Sequence, residues 1–215
     1  AGPLTGSATI TANPIITNPG NQQLVSELIA GGISYYDTIK FYVTPVNVVA
    51  PLPTGSIEGI NYGGNCSAVT LVLFAPNKNN VVVIGDFPGS NWAAQSQYQL
   101  NITPDGNYYW ITINGLTANT EYAFEYIVDN SIYIADPYSE KILDPNNDQF
   151  IPVATYPGLK PYPVNANVSA AQNGIVSVLQ PCATAYTWQV TNFTKPDKRN
   201  LITYELLVRD FGDAR

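Results

Sequence analysis

Residues 81–89 read VVVIGDFPG, a run of apolar, mostly β-branched residues that a turn breaks at once. Short runs of this kind, bounded by Gly and Pro, are typical of buried β-strands. Residues 107–113 and 121–128 then alternate with a period of two, so the even-numbered residues from Tyr122 to Val128 share one face. The pattern predicts strands of a β-sandwich.

Turn signals separate these strands. Asp129-Asn130 tolerates the left-handed backbone that a hairpin turn needs, so residues 131–135 are predicted to return antiparallel. Asp136-Pro137 then ends the pairing, because proline has no N–H to donate.

The order of strand, Gly-Asp-Phe turn at 85–87, Trp92, aromatic strand, Val-Asp turn and Asp-Pro resembles carbohydrate-binding module family 48 and the related early-set immunoglobulin-like domains. Those domains precede the catalytic barrel in starch- and glycogen-acting enzymes of glycoside hydrolase family 13. Residues 202–211, ITYELLVRDF, resemble the first strand of that barrel. The resemblance implies an all-β fold with an immunoglobulin-like (early-set) sandwich, in the non-catalytic N-terminal region of an α-glucan hydrolase of the α-amylase family.

Turn clusters and shifts in composition divide the chain into five predicted parts. They are a partial β module over 1–47, a Pro-rich linker over 48–54, the sandwich over 55–158, a linker with short strands over 159–200, and the start of a truncated (β/α)8 barrel over 201–215. One strand cannot close an eight-stranded barrel. We therefore expect the chain to stop inside a domain, and residues 201–211 to be disordered or packed against the sandwich or a neighbouring molecule.

Three shorter segments carry weaker signals. Residues 22–29 are compatible with one or two helical turns, although their apolar stripe is thin. Residues 174–179 and 187–190 are predicted as short strands that return to the sandwich.

Composition excludes several classes of partner. The 215 residues include 17 Pro, 16 Gly and 15 Tyr. This composition is typical of an all-β chain with many turns. The net charge is -7 and there are only nine Lys and Arg, so a nucleic-acid partner is not expected. No apolar run is long enough to span a membrane. Because the chain contains no Met, we expect Ala1 not to be the start of the gene product.

The titratable and sulfur-containing residues limit the chemistry further. The chain contains no histidine, which excludes Ser-His-Asp machinery and histidine-containing zinc sites within it. Cys66 and Cys182 are far apart, and the sequence leaves open whether they pair or are free.

The candidate carbohydrate-binding residues are Trp92, Glu125 and Tyr133. The resemblance places Trp92 at a tryptophan that stacks on glucan, while the alternative is a tryptophan that packs on the sheet edge. It also places Glu125 where binding members have lysine, and Ile132 where they have a second tryptophan. Tyr133 offers a replacement ring, although its side chain is predicted to point to the face opposite Ile132.

No catalytic residue, metal ligand or cofactor is assigned to this chain. In the resembled enzymes the two carboxylates of glycoside hydrolysis lie on later barrel strands, so the fragment is predicted to be inactive. Residues 144–148, DPNND, offer oxygen ligands for calcium but lack the Gly-centred loop of an EF-hand, and Asx turns explain them better.

The resemblance implies a parent protein that is secreted, periplasmic or on the cell surface, with α-glucan and the catalytic barrel of the same polypeptide as partners. A free-standing carbohydrate-binding module and a surface adhesion or structural domain stay open as alternatives, because a fold does not fix a function.

Overall fold

The computed structural model describes residues 15–164, 166, 174–185 and 187–205, together with 11 and 13. Contacts divide the chain into two units, Ala1–Ala183 and Thr184–Arg215. The strands are β1 (Gly20–Ala30), β2 (Ile33–Val43), β3 (Gly59–Tyr62), β4 (Ala68–Phe74), β5 (Val81–Gly85), β6 (Asn101–Ile102), β7 (Tyr108–Asn114), β8 (Tyr122–Val128), β9 (Ile132–Ile134), β10 (Lys141–Leu143) and β11 (Val176–Leu179). Single 3-10 turns lie at Ser96–Tyr98, Asp148–Phe150 and Lys198–Asn200.

Two antiparallel sheets form a sandwich. One has the order β3-β4-β7-β6, and the other has the order β10-β11-β8-β5, with β9 also paired to β8. The predicted strands at 81–84, 107–113 and 121–128 correspond to β5, β7 and β8. The all-β, immunoglobulin-like fold class is therefore confirmed.

The core follows from the period-two alternation. On β7 every second residue is buried, because one face of this sheet meets the other sheet, and on β4 the alternating residues Val69, Leu71 and Leu73 are buried together with Val72. On β8 all seven residues are buried, so both of its faces are covered. Aromatic rings fill the centre: Phe124 lies 6.1 Å from Phe87 and meets Tyr126 edge to face at 5.7 Å between ring centroids.

The structure confirms one of the predictions for the short segments and contradicts another. Residues 176–179 form β11, which joins the sandwich as predicted and lies after residue 158. Residues 187–190 form no strand, so that prediction is wrong. Residues 201–205 are also not in a strand, and the rest of the predicted barrel strand lies outside the described residues. The proposed domain boundaries stay predictions.

The helical interpretation of residues 22–29 is wrong, because β1 and β2 form a long antiparallel hairpin. Gly31 and Gly32 both have positive φ, as the two-residue turn between the strands requires. Cross-strand pairing puts Leu24 opposite Ile39 and Leu28 opposite Tyr35 on one face of the hairpin, and all four are exposed. Cross-strand pairing thus decides the structure of residues 22–29, and their few apolar residues at helical spacing do not.

A disulfide bond links the loop between β3 and β4 to the segment that follows β11. Cys66 precedes β4 and Cys182 follows β11, and their Cα atoms lie 5.3 Å apart. The pairing that the sequence left open is therefore present.

The second unit is described over residues 184–185 and 187–205. Its 3-10 turn begins after Asp197, whose carboxylate accepts hydrogen bonds from the backbone N–H and the guanidinium of Arg199. Both side chains are exposed, so this pair adds little stability.

Tyr126 on β8 and Asp136, which follows β9, form a buried polar pair. Tyr126 donates its hydroxyl to Asp136 Oδ2 at 2.8 Å, and the backbone N–H of Tyr138 donates to Asp136 Oδ1 at 2.8 Å. Burial raises the pKa of Asp136 above its ordinary value, although these two hydrogen bonds oppose the shift.

This shift predicts a pH dependence of stability. Because the pKa of Asp136 is raised, the folded state keeps its proton at a pH where the unfolded chain has released it. The contribution of this carboxyl to the free energy of unfolding is therefore present below the ordinary pKa. It is lost as pH rises from the ordinary pKa through the raised one. We expect Asp136→Asn to remove that fall. Urea unfolding from roughly pH 3.5 to 6.5 checks this, with the exposed Asp37→Asn as control. Equal pH slopes for wild type and Asp136→Asn contradict it.

Candidate functional site

The Gly-Asp-Phe turn is built by contacts to β8. The backbone N–H of Asp86 donates to Ala123 O at 2.9 Å, and Asp86 Oδ2 accepts from the backbone N–H of Ala123 at 3.2 Å. At Gly85 a Cβ atom would overlap the same carbonyl oxygen, so glycine is required for this close approach. The turn is thereby fixed to the edge of the sheet.

Asp86 also sets the position of Trp92. The indole Nε1–H of Trp92 donates to Asp86 Oδ1 at 2.8 Å, and the Trp92 backbone has a φ of 57°, which is unusual for a residue other than glycine. The ring is half-buried and packs against both hydrophobic clusters of the sandwich. Trp92 therefore lies at the sheet edge as a partly exposed residue.

Glu125 is not accessible. It lies on β8 opposite Ile84, and only 2% of its surface is exposed. Its face of the sheet also carries Ala123, which belongs to a second hydrophobic cluster outside the main core. Leu159 and Tyr162 pack against that cluster. A carboxylate in this position cannot reach a ligand in solution unless its cover moves.

The covering segment is defined here as residues 144–164. Lys160 Nζ lies 3.0 Å from Asp86 Oδ2, which joins the segment to the turn that holds Trp92. Burial raises the pKa of the Tyr162 hydroxyl, and the nearby carboxylates of Glu125 and Asp144 raise it further. The covering segment therefore lies over the face of β8 that carries Ala123 and Glu125.

Tyr133 lies on β9 opposite Ile127, which puts it on the same face of the sheet as Glu125. Ile132 pairs with Val128 on the other face and is 40% exposed. The alternation predicted for these two residues is confirmed. Of the three candidate residues, Trp92 and Tyr133 are partly accessible and Glu125 is buried.

The loop at 144–148 is explained by its own hydrogen bonds. Asp144 Oδ1 accepts from the backbone N–H of Asn146 at 2.8 Å, and Asp148 Oδ2 accepts from the backbone N–H of Asp144 at 2.9 Å. The side chain of Asn147 and the backbone N–H groups of Asn146 and Asn147 donate to Asp144 and lower the pKa of its carboxyl. The Asx turns are thus confirmed. Over the described parts of the chain, no group of three or more Cys, Asp and Glu side chains is placed to hold a metal ion.

Sequence reasoning missed a cluster formed by Glu58 just before β3, Tyr108 at the start of β7 and Tyr138 after β9. Tyr108 donates to Glu58 Oε1 at 3.3 Å, and Tyr138 donates to Glu58 Oε2. The three residues are 30 to 80 positions apart, so no local pattern signals the cluster.

Comparison with known families supports the sandwich. Residues 59–139 match the model of carbohydrate-binding module 48 (isoamylase N-terminal domain). No curated protein is similar enough in sequence to count as a relative.

No helix among the described residues is long and apolar enough to cross a membrane.

Two solved structures are similar in part. One is the catalytic module of the multi-modular glycogen-degrading pneumococcal virulence factor SpuA in complex with an inhibitor, with a TM-score of 0.39, 15% identity, and coverage of 65% of this chain and 19% of that chain. The other is the GBS pullulanase SAP in complex with maltotetraose, with a TM-score of 0.31, 18% identity, and coverage of 42% and 12%. The chain thus spans less than a fifth of either structure. The sandwich over residues 59–139 is therefore similar to carbohydrate-binding module 48, as its turn motifs predict.

Proposed function

We propose that this chain is a non-catalytic β-sandwich region of an α-glucan-acting enzyme of the α-amylase family, and that it contacts α-glucan weakly. The family match over residues 59–139 carries the proposal.

The accessible part of Trp92 supplies the contact. A pyranose ring presents an apolar face that stacks on a flat aromatic side chain. The hydrogen bond to Asp86 fixes the indole before the sugar arrives, which lowers the entropy cost of binding. Tyr133 adds a second partly exposed ring, while the burial of Glu125 removes one hydrogen-bonding group from the site. We therefore expect a dissociation constant of about 1 mM, or roughly -4 kcal/mol.

The parent protein is proposed to be secreted, periplasmic or on the cell surface. The Cys66–Cys182 disulfide supports this, because such bonds persist in oxidising compartments. The proposed protein partner is the catalytic barrel of the same polypeptide. The exposed apolar face of the β1–β2 hairpin supports a partner, since an isolated two-stranded hairpin is marginally stable in water.

A second candidate function is a scaffold domain that binds no sugar. The burial of Glu125 beneath the covering segment favours it, because one of the three candidate residues is then closed to sugar.

Titration with maltoheptaose separates the two. We expect saturable binding by wild type, and binding at least tenfold weaker in Trp92→Ala, because the stacking surface is lost. Calorimetry measures both, and Trp188→Ala is the matched control because Trp188 is exposed but lies in the other unit. No binding by wild type at millimolar sugar favours the scaffold, and equal loss in the two variants rejects Trp92 as the contact.

The pure chain is expected to release no reducing sugar from starch, because the catalytic carboxylates are proposed to lie outside it. A reducing-sugar assay checks this. Activity that persists through purification to homogeneity contradicts the non-catalytic role.

A further inference from the structure

The cluster around Glu58 lines an open pocket of about 440 Å³ beside the starts of β3 and β7 and the segment that follows β9. Its walls are Leu52, Ser56, Ile57, Glu58, Tyr108 and Tyr138. No residue of the covering segment lines this pocket, and 58% of Tyr138 is exposed. This volume lies within the range of small-molecule sites.

Tyr138 is fixed in place by three contacts. Its backbone N–H donates to the buried Asp136, and its hydroxyl donates to Glu58. A Cβ atom at Gly59 would lie 2.5 Å from the Cβ of Tyr138, and Gly59 has a φ of 89°, so only glycine permits this approach. An exposed aromatic ring held this firmly loses little conformational entropy when a ligand packs on it.

Glu58 has unused hydrogen-bonding capacity. An ionised carboxylate has about four lone-pair sites, and the two tyrosine hydroxyls occupy one on each oxygen. Among the residues that the structure describes, no Lys or Arg forms an ion pair with Glu58. The hydrogen bond and charge of Glu58 raise the pKa of Tyr138, so its hydroxyl stays a donor at neutral pH.

We propose that this pocket binds one pyranose unit of an α-glucan, with the Tyr138 ring against the apolar face of the sugar and Glu58 accepting from its hydroxyl groups. Leu52 and Ile57 add apolar surface, and Ser56 provides a hydroxyl at the pocket wall. The inference rests on the proposed function, and it adds a second contact that the covering segment does not block.

The test is a maltoheptaose titration of the ¹⁵N-labelled chain, in which the Gly59 and Tyr108 amide signals report on this pocket and the Trp92 indole signal reports on the other site. We expect saturable shifts at Gly59 and Tyr108 in wild type, an at least tenfold weaker response in Tyr138→Ala, and a several-fold weaker response in Glu58→Gln. Tyr36→Ala is the matched control, because Tyr36 is an exposed tyrosine that also donates to a glutamate, Glu27, at 3.0 Å.

The outcomes separate the two proposals. If the Trp92 signal shifts but the pocket signals do not, or if they shift equally in Tyr138→Ala, this inference is wrong and the proposed function stands. If no signal shifts in wild type, sugar binding fails at both sites. If tetramethylammonium shifts the pocket signals and maltoheptaose does not, the pocket selects cations and the inference is wrong.

Discussion

Replacement of both cysteines by serine is expected to lower the free energy of unfolding by about 2 to 5 kcal/mol. Cys66 and Cys182 are separated by 116 positions, so the bond closes a loop that contains most of the sandwich. In the loop-closure model a cross-link over about 100 residues stabilises the fold by about 4.7 kcal/mol, because it restricts the unfolded chain. Without it, β11 and the β3–β4 connection are joined only by non-covalent contacts.

Urea unfolding of wild type and of Cys66→Ser/Cys182→Ser measures this difference. A reducing agent provides the internal control: it lowers the midpoint of wild type and leaves the double variant unchanged. A double variant as stable as oxidised wild type would show that the cross-link contributes nothing to folding.

Phe124→Ala is expected to lower the free energy of unfolding by about 3 to 5 kcal/mol. Phe124 is fully buried on β8 and contacts the rings of Phe87 and Tyr126. Truncation leaves a cavity between the two sheets, and the close packing of the surrounding core allows it to be filled only in part.

Phe150→Ala is the matched control for Phe124→Ala, because Phe150 is 75% exposed and its truncation is expected to cost less than about 0.5 kcal/mol. Thermal unfolding followed by circular dichroism compares the two. If they are destabilised equally, Phe124 does not lie at the centre of the core.

The sandwich was predictable because its signals are local. Alternation along β8 and the Asp129-Asn130 turn each depend on a few neighbouring residues, and both are present in the structure. The β1–β2 hairpin was not recognised as such, because its strands alternate poorly and its stability depends on cross-strand pairing. The disulfide was likewise undecided, since pairing requires two Cα atoms to be close in space.

The candidate site was predictable only in part. The motif located Trp92, but its hydrogen bond to Asp86 and the covering segment are tertiary features. The alternation along β8 predicts correctly which face of the strand carries Glu125. The burial of Glu125, however, depends on Leu159 and Tyr162, which lie more than thirty residues later. The Glu58 pocket depends on three distant residues that only the folded sheet brings together.

The most direct test of α-glucan contact is the Trp92 indole signal in the ¹H–¹⁵N spectrum, followed as maltoheptaose is added. The chain has three tryptophans, so Trp110 and Trp188 serve as references in the same sample. Contact at Trp92 predicts a saturable shift of its signal, with the Trp188 signal fixed. A spectrum in which all three indole signals stay unchanged at saturating sugar would contradict glucan contact at Trp92.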